Sequence, residues 1–348
     1  MRALVKYADA DGALEVREVP DPVAGPGTVL VGVHTVGVCG SDIHLWHNTQ
    51  SRSSVPVLPV VVGHESAGIV AAVGEGVAGW ATGDRIVCET AASVCGACAL
   101  CRAGRYNLCP SRQGYGLRRD GAMAEYLVAE PRVLHRIPDG VSFEAASMCE
   151  PFAVAYNALV ERATVSPGDL VVVQGAGAIG ILALQVARLR GAATVVMLGT
   201  DIDGYRLEAA TRLGADHVVN VDRQDPADVV AGLHDGLGAD LVVDATGVSA
   251  ALVQGMRLVR PAGAIAKVGW GPQPLGHSLD PLVKKAVTLY GCYSHTWGTW
   301  EAVLRLFADG RLRPDLVLGG VYPIDEWEEA FTAMQQGRHV KSALRPAG

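Results

Sequence analysis

The sequence predicts an α/β protein built on a doubly wound parallel sheet, in a chain long enough to carry a second domain. Of its 348 residues, 49% are hydrophobic and 19% are charged, which fits a globular chain with a large core. Apolar strand patterns alternate with helical patterns between residues 169 and 293, as in a parallel sheet covered on both faces. One hydrophobic core seldom organises more than about 250–300 residues, so two domains are expected.

The predicted sheet begins with a strand that leads directly into a glycine-rich turn. The segment DLVVVQGAGAIGILALQVARLRGA, residues 169–192, reads as a buried strand, a Gly-x-Gly-x-x-Gly turn and an apolar helix. Pro-Gly in the preceding ATVSPGDL marks a turn before this strand. Strand and helix patterns then continue through TVVMLGT, YRLEAATRLGA, DHVVNV, DLVVDATG, AGAIAKVGW and VTLYGCY.

The glycine-rich turn predicts a dinucleotide-binding site. Gly175 permits the tight turn, Gly177 lets a pyrophosphate approach the backbone, and Gly180 lets the helix pack on the strand. The start of the helix, at Ala178 and Ile179, would bind the phosphates. A glycine-rich turn in an unrelated strand–helix unit is the alternative, because the motif alone has little specificity.

Four of the eight cysteines are concentrated in the short segment CGACALCRAGRYNLC. Cys95, Cys98, Cys101 and Cys109 follow the spacing C-x2-C-x2-C-x7-C, which can arrange four thiolates around a structural Zn²⁺. An iron–sulfur cluster would use the same four ligands. A thioredoxin-like redox pair is disfavoured because no strand–helix–strand pattern surrounds the cysteines.

A second group of metal-ligand types lies upstream. GVCGSDIHLWH supplies Cys39, and VVGHESAGIVAAVG supplies His64 followed by Glu65. A thiolate, an imidazole and a carboxylate suit zinc, and fewer than four protein ligands would leave a position for substrate. Gly68 stands where an H-E-x-x-H motif needs its second histidine, so a zinc protease helix is excluded.

Charge and targeting patterns exclude other functional classes. The net charge of −7, with dispersed lysines and arginines, disfavours nucleic-acid binding. The first residues lack the apolar core of a secretory leader, and no run approaches the roughly 20 apolar residues of a membrane span. We therefore expect a cytoplasmic protein with no membrane partner, whose clustered cysteines bind metals rather than form disulfides.

Taken in this order, the features resemble the zinc-dependent medium-chain alcohol and polyol dehydrogenases, which include sorbitol, butanediol and threonine dehydrogenases. The resemblance covers essentially the whole chain: Cys39, the segment GHESAGIVAAVG, the cysteine lobe and the glycine-rich turn. It implies a GroES-like, partly open β-barrel catalytic domain and an inserted Rossmann nucleotide domain. The expected boundaries are 1–154 for the catalytic domain with a structural zinc lobe at about 93–110, 155–292 for the Rossmann domain, and 293–348 for the return to the catalytic domain.

The resemblance further implies a catalytic zinc bound by Cys39, His64 and a carboxylate from Glu65 or Glu150. Glu150 precedes a proline, as in sorbitol, butanediol and threonine dehydrogenases, whereas alcohol dehydrogenases have a cysteine ligand in this region. We assign Glu150 as the carboxylate ligand and the adjacent Cys149 as a core residue.

A proton route also follows from the resemblance. Zinc would lower the pKa of the substrate hydroxyl before hydride leaves for the nicotinamide. Ser41 would receive the proton and His44 would release it to solvent, with the cofactor ribose between them. Asp42 would accept a hydrogen bond from the far nitrogen of His64 and fix its orientation.

NAD is the preferred cofactor, and NADP is the alternative. The second strand ends at Gly199 and Thr200, which resembles NADP-using relatives, and Arg206 could reach a 2′-phosphate. Asp201 would instead repel that phosphate and accept from the ribose hydroxyls, as NAD binding requires. Ligands of such sheets bind at the carboxyl ends of the strands, so further cofactor contacts are expected at Thr246, Val268 and Gly269.

We predict a reversible oxidoreductase that transfers hydride from a secondary alcohol to NAD(P), with a polyol, sugar alcohol, inositol or vicinal diol as substrate. The alternatives are a threonine-type amino-alcohol dehydrogenase, a zinc-dependent ketone or aldehyde reductase, and a non-catalytic nucleotide or zinc sensor. Sorbitol is disfavoured because CYSHTWGTW departs from the local pattern of sorbitol dehydrogenases. His295, Trp46 and Phe152 are candidate cleft walls, and a homodimer or homotetramer is expected through VTLYGCY.

Overall fold

Two sheet systems organise residues 1–50 and 55–347, which the computed structural model describes. The first contains a largely antiparallel sheet of order β15-β16-β3-β5-β6-β8, with β7 paired to β3, and a small sheet of order β2-β1-β4. Its strands come from both ends of the chain, because β16 pairs with β3. They are β1 (Arg2–Lys6), β2 (Leu14–Glu18), β3 (Val29–Gly37), β4 (Val60–Val61), β5 (Glu65–Val73), β6 (Arg85–Cys88), β7 (Tyr126–Ala129), β8 (Leu134–Arg136), β15 (Leu318–Pro323) and β16 (Lys341–Arg345).

The second system is a six-stranded parallel sheet of order β11-β10-β9-β12-β13-β14. The order proceeds outward from β9 in both directions, so the topological switch point lies between β9 and β12. Every residue of β9 is buried, which explains its uninterrupted valines. The strands are β9 (Leu170–Gln174), β10 (Thr194–Gly199), β11 (His217–Asn220), β12 (Ala239–Asp244), β13 (Val259–Lys267) and β14 (Thr288–Gly291).

Both faces of the parallel sheet are covered. Val171 and Val173 of β9 belong to one hydrophobic cluster, whereas Leu170 and Val172 belong to another on the opposite face. The sequence-based prediction of a doubly wound sheet is therefore confirmed. The helices are α1 (Gly40–Trp46), α2 (Ala99–Arg102), α3 (Phe143–Ser147), α4 (Cys149–Tyr156), α5 (Ala178–Leu189), α6 (Gly204–Arg212), α7 (Pro226–Ala231), α8 (Ser249–Leu258), α9 (Asp280–Lys284), α10 (Trp297–Ala308) and α11 (Trp327–Gln335).

Helix α4 joins the two sheet systems. It contacts β5 of the first system, α5 beside the parallel sheet, and α10. A π-helical turn, Asn157–Arg162, continues it towards the parallel sheet. Residues at the start of α4 therefore lie where the two systems meet. None of the helices in the described ranges is long and apolar enough to cross a membrane.

Candidate active site and metal centres

Cys39, His64 and Glu65 form a compact group of metal-ligand types. One ligand atom of each lies within 4.8 Å of the others. The pairing of β3 with β5 creates the group: Gly37 at the end of β3 is opposite Glu65 at the start of β5, and Cys39 follows two residues later. A Cβ at Gly37 would collide with the Glu65 carboxylate, so this position requires glycine. A thiolate, an imidazole and a carboxylate fit a zinc ion with an open fourth position.

The charges around His64 suit a cation at this group. Burial alone would lower the pKa of His64, but the hydrogen bond and charge of Cys39, together with Asp42 and Glu150, raise it to about 10. These anionic groups hold a proton on the imidazole, and they would equally stabilise a divalent cation beside it.

Asp42 lies beside His64, but at a distance too long for the hydrogen bond that the sequence analysis predicts. Its Oδ1 is 3.9 Å from His64 Nδ1, which leaves Nε2 as the nitrogen for a metal. Its Oδ2 accepts a hydrogen bond of 2.8 Å from the Cys39 N–H. The side chain is 1% exposed, and this burial raises the pKa of Asp42. Asp42 thus accepts a hydrogen bond from the Cys39 backbone and lies within ion-pair distance of His64.

Glu65 has a buried cationic partner, Lys341, that sequence reasoning did not find. Lys341 Nζ donates to a Glu65 carboxylate oxygen at 2.6 Å and to the Val38 carbonyl at 2.5 Å. Burial would lower the pKa of Lys341, but the charges of Glu65 and Cys39 raise it, so the ammonium is retained. No local signal in KSALR, the sequence of β16, marked this lysine as buried; the structure shows a fully buried ammonium, which needs a nearby anion.

Glu150, our preferred carboxylate ligand, lies outside the compact group. It is 7% exposed at the start of α4, and its Oε1 is 3.2 Å from His295 Nε2. Burial would raise the pKa of Glu150, but His295, His64 and Lys341 lower it, so the group is ionised. The geometry therefore favours Glu65 as the third ligand and leaves Glu150 as a neighbouring buried acceptor.

The predicted proton-route residues occupy α1. Ser41 and His44 are both exposed, and His44 Nδ1 lies 2.9 Å from Thr49 Oγ1. Loss of water around part of the ring, and secondarily the charge of His47, lower the pKa of His44. His44 is therefore neutral at neutral pH and can accept a proton.

The four-cysteine lobe is preorganised for a second metal. The four sulfur atoms all lie within 4.8 Å of one another. Backbone N–H groups of Cys98, Cys101 and Cys95 donate to the sulfurs of Cys95, Cys98 and Cys109 at 3.3–3.4 Å. Donation from Cys98 and Ala97 lowers the pKa of Cys95 to about 6, which favours the thiolate that a metal requires.

The glycine-rich turn has the geometry that a dinucleotide needs. Gly175 has a φ of 93°, and a Cβ at Gly180 would collide with the Gly175 carbonyl. A Cβ at Gly177 would instead meet open space, which leaves room for a phosphate at the start of α5. The other predicted contacts surround this edge of the sheet: Ala178 and Ile179 open α5, the Thr246 methyl packs on Gly175, and the amides of Val268 and Gly269 both donate to the Asp244 carbonyl at 2.9 Å.

Known proteins share this arrangement. The profile of the alcohol dehydrogenase GroES-like domain matches residues 25–139, and that of the zinc-binding dehydrogenases matches residues 178–309. The sorbitol dehydrogenase of Halalkalibacterium halodurans is 37% identical over 347 residues, which cover 99% of both chains. The chain belongs to the zinc-dependent medium-chain alcohol and polyol dehydrogenase family. Its predicted family, GroES-like and Rossmann fold class, and enzyme class are confirmed.

Further relatives of this dehydrogenase differ in substrate. The L-threonine 3-dehydrogenase of Pyrococcus abyssi is 36% identical over 341 residues, covering 97% of this chain and 96% of its own. Alcohol dehydrogenase TADH from Thermus sp. ATN1 superposes with a TM-score of 0.88 at 32% identity, with 99% of both chains covered. A zinc-binding dehydrogenase from Sinorhizobium meliloti 1021, bound to NADP, has the same TM-score at 28% identity and the same coverage.

In this dehydrogenase, Asp201 lies just beyond the end of β10, exposed to solvent. Its Oδ1 accepts hydrogen bonds of 2.7 Å from Asn220 Nδ2 and Arg223 Nε. The Asn220 bond, followed by the Arg223 bond, lowers the pKa of Asp201. The ionised carboxylate is oriented by two neighbours and stays accessible from solvent.

Arg206 is turned into the protein instead. Its guanidinium donates to the carbonyls of His339 and Met334 and to Asp203, and the residue is only 9% exposed. Asp203 in turn accepts a hydrogen bond of 2.9 Å from Thr200 Oγ1. The expectation that Arg206 reaches a 2′-phosphate is corrected, because its donors are already engaged inside the dehydrogenase.

Of the three residues predicted to line the cleft, two pack against other aromatic side chains and one contacts the candidate site. Phe152 is fully buried and packs edge-on against Phe307, so its assignment as a wall is wrong. Trp46 is part of an aromatic cluster with Trp327 and Phe331, at ring-centroid distances of 5.2 and 6.1 Å. Only His295 contacts a residue of the candidate site, Glu150.

Proposed function

We propose that the dehydrogenase oxidises a secondary alcohol that carries a neighbouring hydroxyl, of the polyol, sugar alcohol, inositol or vicinal diol class, with NAD as hydride acceptor. The group of Cys39, His64 and Glu65 carries this proposal, because it supplies three zinc ligands and leaves one position for substrate. Glu150 supports the choice of a diol. It is ionised, buried and outside the ligand group, so it can accept from a second hydroxyl.

The chemistry divides between the bound groups and the chain. A zinc ion at Cys39, His64 and Glu65 would act as a Lewis acid that lowers the pKa of the substrate hydroxyl, and the nicotinamide would accept the hydride. Asp42, within ion-pair distance of His64 Nδ1, would stabilise the orientation of His64 electrostatically. Ser41 and His44 lead the proton to solvent, since the lowered pKa of His44 keeps its imidazole ready to accept it.

We further propose two zinc ions per chain, the second at Cys95, Cys98, Cys101 and Cys109. All four sulfurs are close together, and the site has no remaining position for substrate, as is typical of a structural zinc. The eight cysteines are all unpaired, which supports a reducing, cytoplasmic location.

NAD is preferred over NADP because of Asp201. An exposed carboxylate just after β10 accepts from ribose hydroxyls and repels a 2′-phosphate. Arg206, the cation expected to favour NADP, is committed to buried partners. A preference for NADP by an order of magnitude or more in kcat/KM would overturn this choice.

The parallel sheet provides the surface for a homodimer. Strand β14 is at the edge of the sheet, and its unpaired side would continue the sheet into a second copy. Leu289 in this strand is 42% exposed and Val283 in the preceding helix α9 is 80% exposed, so apolar side chains are exposed beside this edge. Leu289→Lys should lower the mass measured by light scattering, and an unchanged mass would exclude this contact.

One experiment tests the reaction and the metals together. Initial rates of NAD and NADP reduction would be measured with polyols, inositols, butanediols, threonine and simple alcohols, before and after metal removal. We expect the highest kcat/KM with one diol or polyol class and NAD, about two zinc ions per chain, and loss of activity on chelation. Activity confined to threonine or to carbonyl reduction would support the alternative enzymes. Nucleotide binding without turnover would support a sensor.

A further inference from the structure

His295, to which the proposed reaction assigns no role, belongs to a buried hydrogen-bond chain that ends at Glu150. Trp300 Nε1 lies 2.6 Å from His295 Nδ1, and the two residues are each 1% exposed. An indole N–H can only donate, so Nδ1 of the histidine must accept. The ring proton is therefore on Nε2, and the imidazole is held in one neutral tautomer.

The proton on Nε2 faces Glu150. His295 Nε2 lies 3.2 Å from Glu150 Oε1 and 3.3 Å from Thr90 Oγ1. Arg112 Nη2 donates to the same Thr90 oxygen at 2.7 Å, so Thr90 is fixed from a second side. His295 consequently donates to one carboxylate oxygen of Glu150, and its ring is prevented from rotating by its contacts at both nitrogens.

The backbone around His295 is strained into this position. Ser294 has a φ of 56°, a left-handed conformation that a serine seldom adopts. Asn157 donates to its carbonyl at 2.9 Å, and Asn107 donates to the Tyr293 carbonyl at 3.0 Å. Two asparagines from separate parts of the chain therefore maintain the turn that carries His295.

We propose that His295 is a positioning residue that fixes the orientation of Glu150, with its own tautomer set by Trp300. By holding Oε1, His295 keeps Glu150 out of the group of Cys39, His64 and Glu65. Oε2 then stays free to accept from the second hydroxyl of the substrate. His295 thus determines the preference for a diol over a simple alcohol. This inference rests on the proposed function.

The test compares two substitutions at one position. His295→Gln keeps an N–H donor near the place of Nε2, whereas His295→Leu removes it at similar volume. Trp300→Phe keeps an aromatic ring and removes the indole N–H donor, so the imidazole of His295 is no longer held in one tautomer. Trp297→Phe is the matched control, because Trp297 is 51% exposed in the first turn of the same helix. Each variant would be prepared with zinc and, separately, with cobalt, whose visible absorption reports the ligands of the metal.

The substrate readout is the ratio of KM for a vicinal diol to KM for the matching monoalcohol. In His295→Leu, we expect this ratio to rise about tenfold, since a buried hydrogen bond to a charged group is lost. We also expect the cobalt spectrum without substrate to change, as released Glu150 enters the metal site. His295→Gln should restore both readouts, Trp300→Phe should be intermediate, and Trp297→Phe should match the native enzyme.

Two results would overturn the proposal. One is a leucine variant with the native KM ratio and cobalt spectrum. The other is a glutamine variant that is no better than leucine, which would indicate a packing role. If the native enzyme oxidises no alcohol, the proposed function fails, and the cobalt spectra still decide whether His295 holds Glu150. If His295→Leu does not fold, Trp300→Phe decides by the same readouts.

Discussion

The four-cysteine lobe and the candidate catalytic centre both gather metal ligands, but they do so by opposite routes. The lobe takes all its ligands from the stretch 95–109, and its own turns bring the sulfurs together. The catalytic group needs β3 and β5 to pair in one register, and its charge balance needs Lys341 from the end of the chain. A local site can thus be found from spacing, whereas a site built by tertiary pairing depends on partners that no local pattern includes.

The electrostatics of the two sites differ in the same way. Backbone N–H groups of neighbouring residues lower the pKa of Cys95 to about 6. At the catalytic group, side chains distant in sequence raise the pKa of His64 to about 10. Fixed backbone dipoles therefore stabilise the Cys95 thiolate, and paired charges prepare the catalytic group.

Removing a catalytic ligand should have the largest effect on activity. Cys39→Ser weakens one of three ligands, and we expect kcat/KM to fall by at least about a thousandfold, since the Lewis-acid contribution is several kcal/mol. Metal analysis should find one zinc lost per chain, with thermal stability changed little. Cys292→Ala, which removes a buried cysteine outside both groups, should keep both metals and native rates. Native kcat/KM in Cys39→Ser would refute the assignment of this group as catalytic.

Substitution of a cysteine in the lobe should lower stability and leave activity nearly unchanged, the reverse of the effect expected at Cys39. Cys101→Ser should lose the other zinc and lower the unfolding free energy by about 3 kcal/mol, or roughly 4 °C in Tm for a chain of 348 residues. The surviving folded enzyme should keep its catalytic zinc and most of its kcat. Scanning calorimetry and metal analysis on the same samples measure both effects. An unchanged Tm would mean that the lobe contributes no stability through its metal.

The parts of the molecule that follow local rules were predictable from the sequence. The buried valines of β9, the turn at Gly175 and the cysteine spacing each specify their own conformation or ligand set, and the structure contains them as expected. The alternating strand and helix patterns also predicted a parallel sheet covered on both faces, which the structure contains.

The errors share one physical cause. Arg206 has the position of a phosphate ligand in sequence, but its partners are carbonyls that only the fold brings near. Glu150 follows a family pattern, but its hydrogen-bond partner His295 is distant in the chain and could not be found from that pattern. Phe152 is an aromatic residue near the site whose burial was not evident from its local sequence. Side-chain partners across elements are set by packing, which a local pattern does not encode.

The lobe is also joined to the barrel by a hydrogen bond to a buried carboxylate that the cysteine spacing does not specify. Tyr106, between the third and fourth cysteines, donates to both carboxylate oxygens of Glu89 at 2.8 Å, and Glu89 also contacts His135 at 3.0 Å. Burial and the charge of Glu89 raise the pKa of Tyr106, so the phenol stays protonated and donating. Tyr106→Phe should cost about 2 kcal/mol of unfolding free energy, because the acceptor is charged and buried.

The control for this link is Tyr115→Phe, which removes a hydrogen bond of 3.1 Å to the neutral Val128 carbonyl. We expect a smaller loss of about 1 kcal/mol there. Chemical denaturation measures both variants, and metal content should stay native in each. Equal losses would indicate that the charge of Glu89 adds nothing and that the lobe is held by packing alone.

The smallest effect is expected at the outer end of the proton route, where the catalytic centre meets solvent. His44 must be neutral to accept a proton, and its pKa is lowered from 6.5. In the native enzyme, kcat should therefore be constant from neutral pH upwards and fall only as pH drops below about 6.5, when the imidazole becomes protonated. His44→Asn should lower kcat about tenfold at pH 7 and remove this acid limb. His47→Asn, one turn away, should keep the native rate, with the limb moved slightly to higher pH because a charge that lowers the His44 pKa is gone. Full activity of His44→Asn at neutral pH would exclude His44 from the route, and the proton would then leave the catalytic centre by another path. If the variant lost only the fall in kcat at acid pH, His44 would have a role in acid solution alone.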